Sequence, residues 1–221
     1  MVFVLEICAD DVFFGYLNIH YVKRVRNMKV GKLKVSFNSP VVLGFFFLSL
    51  GAYVLNLLLG GWANHIFFSV YRSSLLDPCT YIRFFGHVIG HANWDHFVGN
   101  MMMILVVGPI LEEKYGSSNM LFVILATALV TGLVQFVLFP GIGLLGASGV
   151  VFMMILLSAF VNFKNGEIPV TLILVALFYI GGQIYDGLFL NDNVSQLTHI
   201  IGGFTGAGFG YVMNKNKMNR Y

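Results

Sequence analysis

Residues 115–163 contain no Asp, Glu, Lys, Arg or His. An uncharged stretch of that length is more than twice the ~20 apolar residues that cross a bilayer. It admits two membrane helices and almost no soluble arrangement. The rest of the chain agrees. Only 10% of its 221 residues are charged and 57% are hydrophobic, against about 25% charged in an ordinary soluble domain. Apolar runs place spans at 41–59, 94–111, 119–139, 147–163, 168–186 and 197–213. The expected architecture is an all-α membrane protein, a six-helix bundle with a long first loop. That loop, 60–93, is rich in aromatic residues ("WANHIFFSVY", "YIRFFGHVIGH"), which suits a segment lying partly in the membrane interface.

Charge sets the expected orientation. Six spans put both termini on one side, together with Lys23, Arg24, Arg26, Lys29, Lys32, Lys34, Lys114, Lys164, Lys215, Lys217 and Arg220. The other side keeps Arg72 and Arg83. Basic residues accumulate in the cytoplasm, so residues 1–40 and 214–221 are read as cytoplasmic segments flanking a core at 41–213. Alternation in "VFVLEI" and "KVGKLKVSF" suggests short strands before the first span. The basic run there is read as a membrane flank and not as a nucleic-acid surface. No cleavable signal peptide is evident. Cys8 and Cys79 fall on opposite sides of the membrane, which argues against a disulfide between them.

Polar groups at membrane depth are costly and therefore informative. Ser148 stands in "GLLGASGVVFMMI", where Gly141, Gly143 and Gly146 make the approach irregular. A helix starting near Ala147 or Ser148 begins below the outer surface, with unpaired N–H groups beside the hydroxyl. A packing serine bonded to its own helix is the alternative. His199 precedes Gly202, Gly206 and Gly210, which recur every four residues and line one helix face. Small residues on a face let two membrane helices approach closely. If the partner is the helix that begins at Ser148, the pair forms a nucleophile and a general base. A plain packing histidine remains the other reading. His87, His91, His96 and Asn100 cluster around the start of the second span. His96 and Asn100 share a face and can donate to a developing negative charge. The same cluster reads alternatively as interfacial histidines bonded to backbone. A metal site is disfavoured because no acidic third ligand lies nearby.

Together these residues resemble, in chain order, the rhomboid family of intramembrane serine proteases. Gly146-Ala147-Ser148-Gly149 is similar to the family's G-x-S-G. His199, Gly202 and Gly206 are similar to H-x-x-G-x-x-x-G. His87, His91, His96 and Asn100 are similar to its histidine-asparagine run, and Gly108, Glu112 and Gly116 to G-x-x-x-E-x-x-x-G. The resemblance covers 41–213. Two positions depart from it: the Trp-Arg pair of the first loop is Ile82-Arg83, and the tyrosine after the serine is Phe152.

The resemblance implies a Ser148–His199 dyad without an acidic third member. It implies an oxyanion held by the Ser148 N–H with His96 and Asn100. Gly146, Gly149, Phe152, Gly202, Gly206, Glu112, Arg83, His87 and His91 become supporting residues. It further implies substrates that are transmembrane segments arriving from the lipid, gated by 168–186 and capped by "GLFLNDNVSQ". No metal, cofactor or nucleic acid is expected. The compact topology suggests a bacterial plasma membrane, with an organelle membrane as the alternative. Two alternatives stand: a catalytically silent relative that binds membrane segments, and a six-span transporter.

Overall fold

The computed structural model describes residues 38–161 and 196–218, together with residues 170, 173, 174, 177, 178 and 181. The strands expected before residue 38, the loop "GLFLNDNVSQ" up to its last residue, and most of the span expected at 168–186 lie outside the described residues.

Among the described residues the elements are helical. Helix α1 is Pro40–Leu58, α2 Pro78–Gly86, α3 Trp94–Tyr115, α4 Ser117–Leu138, α5 Ser148–Ala159 and α6 Gln196–Met218; a single π-helical turn, Asn64–Phe68, lies between α1 and α2. Helices α1, α3 and α4 have 19, 22 and 22 residues and are long and apolar enough to cross a membrane. At ~1.5 Å per residue they rise about 28–33 Å, the thickness of the hydrocarbon core. Their exposed surfaces are largely apolar, and several polar side chains are buried within an apolar core. Phe47, Leu58, Val106, Ile110 and Phe122 are exposed, while Asn56, Glu112, Thr127, Thr131 and Gln135 are buried among residues such as Phe45, Met101 and Ile124. That placement suits lipid, which solvates apolar side chains and leaves polar groups to be satisfied within the protein.

Local chemistry fixes the helix ends. Proline opens α1 and α2, where its missing N–H is no loss. The Asp77 carboxylate accepts the Cys79 N–H at the start of α2 (2.9 Å), and the Asn93 side chain accepts the His96 N–H at the start of α3 (2.9 Å). At α1 the cap is remote. Glu112, buried in α3, accepts the N–H groups of Val41 and Val42 at 3.0 and 2.9 Å and the Ser117 hydroxyl at 2.7 Å. The carboxylate thus meets the positive end of a helix dipole and ties α1, α3 and α4 together.

One expectation is corrected and another gains detail. The span expected at 147–163 is a helix of 12 residues, Ser148–Ala159, about 18 Å long. It does not need bilayer length, because it is hydrophobic all round and packs among α3, α4 and α6 with eight residues buried. The first connection, expected as a loop, carries structure of its own. Helix α2 packs on α4, and Val70 pairs with Leu144 in a two-bond antiparallel bridge, both bonds 2.9 Å. Arg83 holds it from within, donating to the Ile66 carbonyl, Ser73 Oγ and Asp77 Oδ2 at 2.9, 2.9 and 3.0 Å, with its guanidinium 4.6 Å from the Tyr71 ring centroid.

Candidate active site

The chain enters α5 through residues 139–147, which are not helical. Gly146 has φ +127°, a conformation that side chains rarely adopt, and its N–H donates to the His87 carbonyl at 2.8 Å. A methyl group at Gly146 would also stand 2.6 Å from His96 Nε2 and 3.8 Å from Asn100 Nδ2. Glycine is therefore required twice over, by backbone and by space. Helix α5 starts at the next residue but one, with Ala147 as its cap and no side-chain capping bond. Its first N–H groups have no partner within the helix.

Helix α6 lies directly on α5. A methyl at Gly202 would collide with the Gly149 carbonyl, one at Gly206 with the Met153 carbonyl, and one at Gly210 with the Phe160 ring. The four-residue glycine repeat thus runs along the contact, and backbones touch where side chains would otherwise hold them apart. One turn before Gly202, His199 is brought to the head of α5: its Nε2 lies 2.8 Å from Ser148 Oγ. Phe152, one turn after Ser148, stacks on the imidazole with centroids 4.4 Å apart and planes 16° from parallel. His199 is buried, while Ser148 remains partly exposed.

The other residues singled out by sequence separate into two groups. His96 and Asn100 face the Gly146 turn, and the buried Asn100 Nδ2 has no hydrogen-bond partner among the described residues. A donor aimed at the head of α5 is thus left open. His87 and His91 do not join them as donors. His87 Nδ1 lies 3.1 Å from the Arg83 carbonyl and Nε2 lies 3.2 Å from Thr131 Oγ1. Burial, only partly offset by bonds to the Arg83 and Phe84 carbonyls, pushes its pKa down to about 4. His91 bonds the Ile89 carbonyl through Nδ1 at 3.2 Å and meets the His96 ring edge to face, centroids 5.2 Å apart. Burial and then its neighbour His96 push it down to about 4 as well. Both rings stay neutral near pH 7, and both hold backbone.

Sequence reasoning missed a polar ladder on α4. Thr127, Thr131 and Gln135 are buried and recur every four residues. Thr131 meets His87; Gln135 donates to the Ile142 carbonyl at 2.9 Å and accepts from Thr198, beside His199, at a long 3.5 Å. The signal was present: three polar residues at helical spacing within an otherwise apolar span. No group of three metal-ligating side chains occurs among the described residues.

Comparison with known proteins points the same way. The family model for the Rhomboid domain matches residues 78–216. The chain is 31% identical over 160 residues to "Rhomboid-related protein 2" of Mus musculus, covering 63% of this chain and 53% of that one. It is 32% identical over 143 residues to "Rhomboid-related protein 1" of Caenorhabditis elegans, covering 61% and 40%. It is 25% identical over 140 residues to "Rhomboid-like protein 11, chloroplastic" of Arabidopsis thaliana, covering 57% and 50%. The chain thus spans about half the length, or less, of these curated relatives.

Proposed function

Because the chain belongs to the rhomboid family, we propose that it is an intramembrane serine endopeptidase, hydrolysing peptide bonds in or near the transmembrane segments of other membrane proteins. One observation carries the reading: Ser148 Oγ and His199 Nε2 stand 2.8 Å apart at the head of a buried helix. A hydroxyl and an imidazole at that distance are within proton-transfer reach.

Ser148 Oγ attacks the scissile carbonyl carbon as its proton passes to His199 Nε2. The carbonyl oxygen becomes an oxyanion beside the Ser148 N–H, His96 and Asn100. Each such donor is worth about 10²–10³ in rate, and the open Asn100 Nδ2 supplies one of them. The C–N bond then breaks as His199 returns the proton to the leaving amine. Water next attacks the acyl ester, again with His199 as base, releasing the new carboxylic acid and restoring Ser148. Stacking on Phe152 holds the imidazole in its plane through these steps. The mechanism calls for no metal or cofactor.

The reading includes a six-span core over residues 41–213, in the plasma membrane of a bacterium, with the basic segments 1–40 and 214–221 in the cytoplasm. Residues 170, 173, 174, 177, 178 and 181 are helical and exposed, and the span expected at 168–186 is read as the substrate's gate. A regular helix hides its peptide bonds, so substrates carry helix-weakening residues near the cut. Co-expression with a reporter bearing such a segment tests the function. Wild type should cleave it, and Ser148→Ala and His199→Ala should not; equal cleavage by all three refutes the reading.

A further inference from the structure

His96 differs from the other groups at the site in how it is held. Its backbone N–H caps α3 on Asn93, but its ring nitrogens have no hydrogen-bond partner among the described residues. Such a ring takes its aim from packing alone. On one side it lies against Gly146. On the other it meets His91, which is fully buried and also set edge to face on Phe97 with centroids 5.4 Å apart. Whatever fixes His91 therefore fixes His96.

His91 is fixed from the first connection. Asn64 opens the π-helical turn, and its Nδ2 donates to the His91 carbonyl at 2.9 Å. A carbonyl only accepts, so the amide nitrogen must face it. Asn64 is anchored in turn: its backbone N–H donates at 2.9 Å to Oδ1 of Asn56, buried in the last turns of α1. These two bonds fix the Asn64 amide between the end of α1 and the His91 main chain. Asn64 Oδ1 and His91 Nε2 are buried and have no hydrogen-bond partner among the described residues.

We propose that Asn64 is a positioning residue for the proposed proteolysis, setting the orientation of His96 through His91. The inference rests on His96 stabilising the oxyanion. It links the end of α1 to the reacting atoms through a chain of contacts from Asn56 to Asn64, His91, His96 and Gly146.

The test is a double-mutant cycle on the full chain in detergent, with a helix-weakened transmembrane reporter. Asn64→Ala should lower kcat on the order of tenfold, as a sub-ångström misplacement does, and leave KM within about twofold. Asn64→Asp, which keeps the shape but removes the N–H donor, should behave like Asn64→Ala. In a His96→Ala background neither change should lower kcat further. A fluorophosphonate inactivation rate constant, which does not depend on how much protein is folded, should follow the same pattern. Equal losses with and without His96, or full kcat in both Asn64 variants, overturn the proposal. If Ser148→Ala cleaves as well as wild type, the proteolytic reading itself fails. If His96→Ala is impaired and the Asn64 variants are not, the positioning role alone fails.

Discussion

Gly202→Ala puts the account under its sharpest strain. The added methyl would meet the Gly149 carbonyl well inside the 3.0 Å that real Cβ atoms respect, and the obstacle is backbone, not a side chain that can rotate away. Interiors this dense relieve such an overlap by moving the helices apart, here by about 0.5–1 Å. His199 sits one turn above the wedge, and its Nε2 is 2.8 Å from Ser148 Oγ. The opening stretches that contact to about 3.3–3.8 Å, beyond the ~2.6–3.2 Å over which a base takes a proton. A misplacement of this size lowers the rate about 10–100-fold, while overpacking costs about 1–3 kcal/mol of stability. The assay is reporter cleavage by purified protein, normalised to folded protein from a thermal melt. Gly210→Ala is the control. Its methyl meets the Phe160 side chain, nearest at 2.5 Å, and not backbone, and it lies two turns further from His199. It should keep most of its activity. A Gly202→Ala protein cleaving at more than half the wild-type rate, or a Gly210→Ala protein more impaired than Gly202→Ala, would refute the reasoning.

Three further perturbations probe other parts of the structure. Phe152→Ala removes the ring stacked at 4.4 Å on His199; an aromatic pair of this kind is worth about 0.5–1.5 kcal/mol, so kcat should fall roughly two- to tenfold, and Phe152→Tyr should restore it. Glu112→Gln leaves one of the oxygens now serving Val41 and Val42 replaced by an amide that cannot accept; melting should report a loss of about 1–3 kcal/mol, with kcat of the folded protein unchanged. His87 titrates near 4 when folded, because burial disfavours its charge, and near 6.5 when unfolded. Its neutral burial stabilises above pH 6.5, and that contribution is lost as pH falls from about 6.5 towards 4, at up to ~1.4 kcal/mol per unit. Unfolding free energies measured across that window should show a shallower slope in His87→Gln than in wild type, and identical slopes would contradict the assignment.

Much of this arrangement was legible in the sequence because membrane chemistry leaves few alternatives. The uncharged run after Lys114 required spans, and α1, α3 and α4 begin within two residues of where apolar runs placed them. The approach of His199 to Ser148 was legible through Gly202, Gly206 and Gly210, since a four-residue repeat on one face speaks for a close helix contact. Gly146 was legible as a break, but its second duty, making room for His96, needed the fold. The first connection was not legible. Helix α2 has nine residues, too few for periodicity to separate from an aromatic loop. The duties of Arg83 are set by partners scattered from Ile66 to Asp77, a pattern that no local spacing records. The short extent of α5 was hidden for a related reason: composition reports that a segment is apolar, not whether lipid or protein surrounds it.

The most direct test of the central claim is to locate the nucleophile chemically. The full chain is treated with a fluorophosphonate and the adduct is mapped by peptide mass spectrometry. One phosphonyl group is expected, on Ser148, formed by wild type, absent in Ser148→Ala and slowed at least a hundredfold in His199→Ala. An adduct elsewhere, or one forming on Ser148 as fast without His199 as with it, would contradict the claim that these two residues act as nucleophile and base.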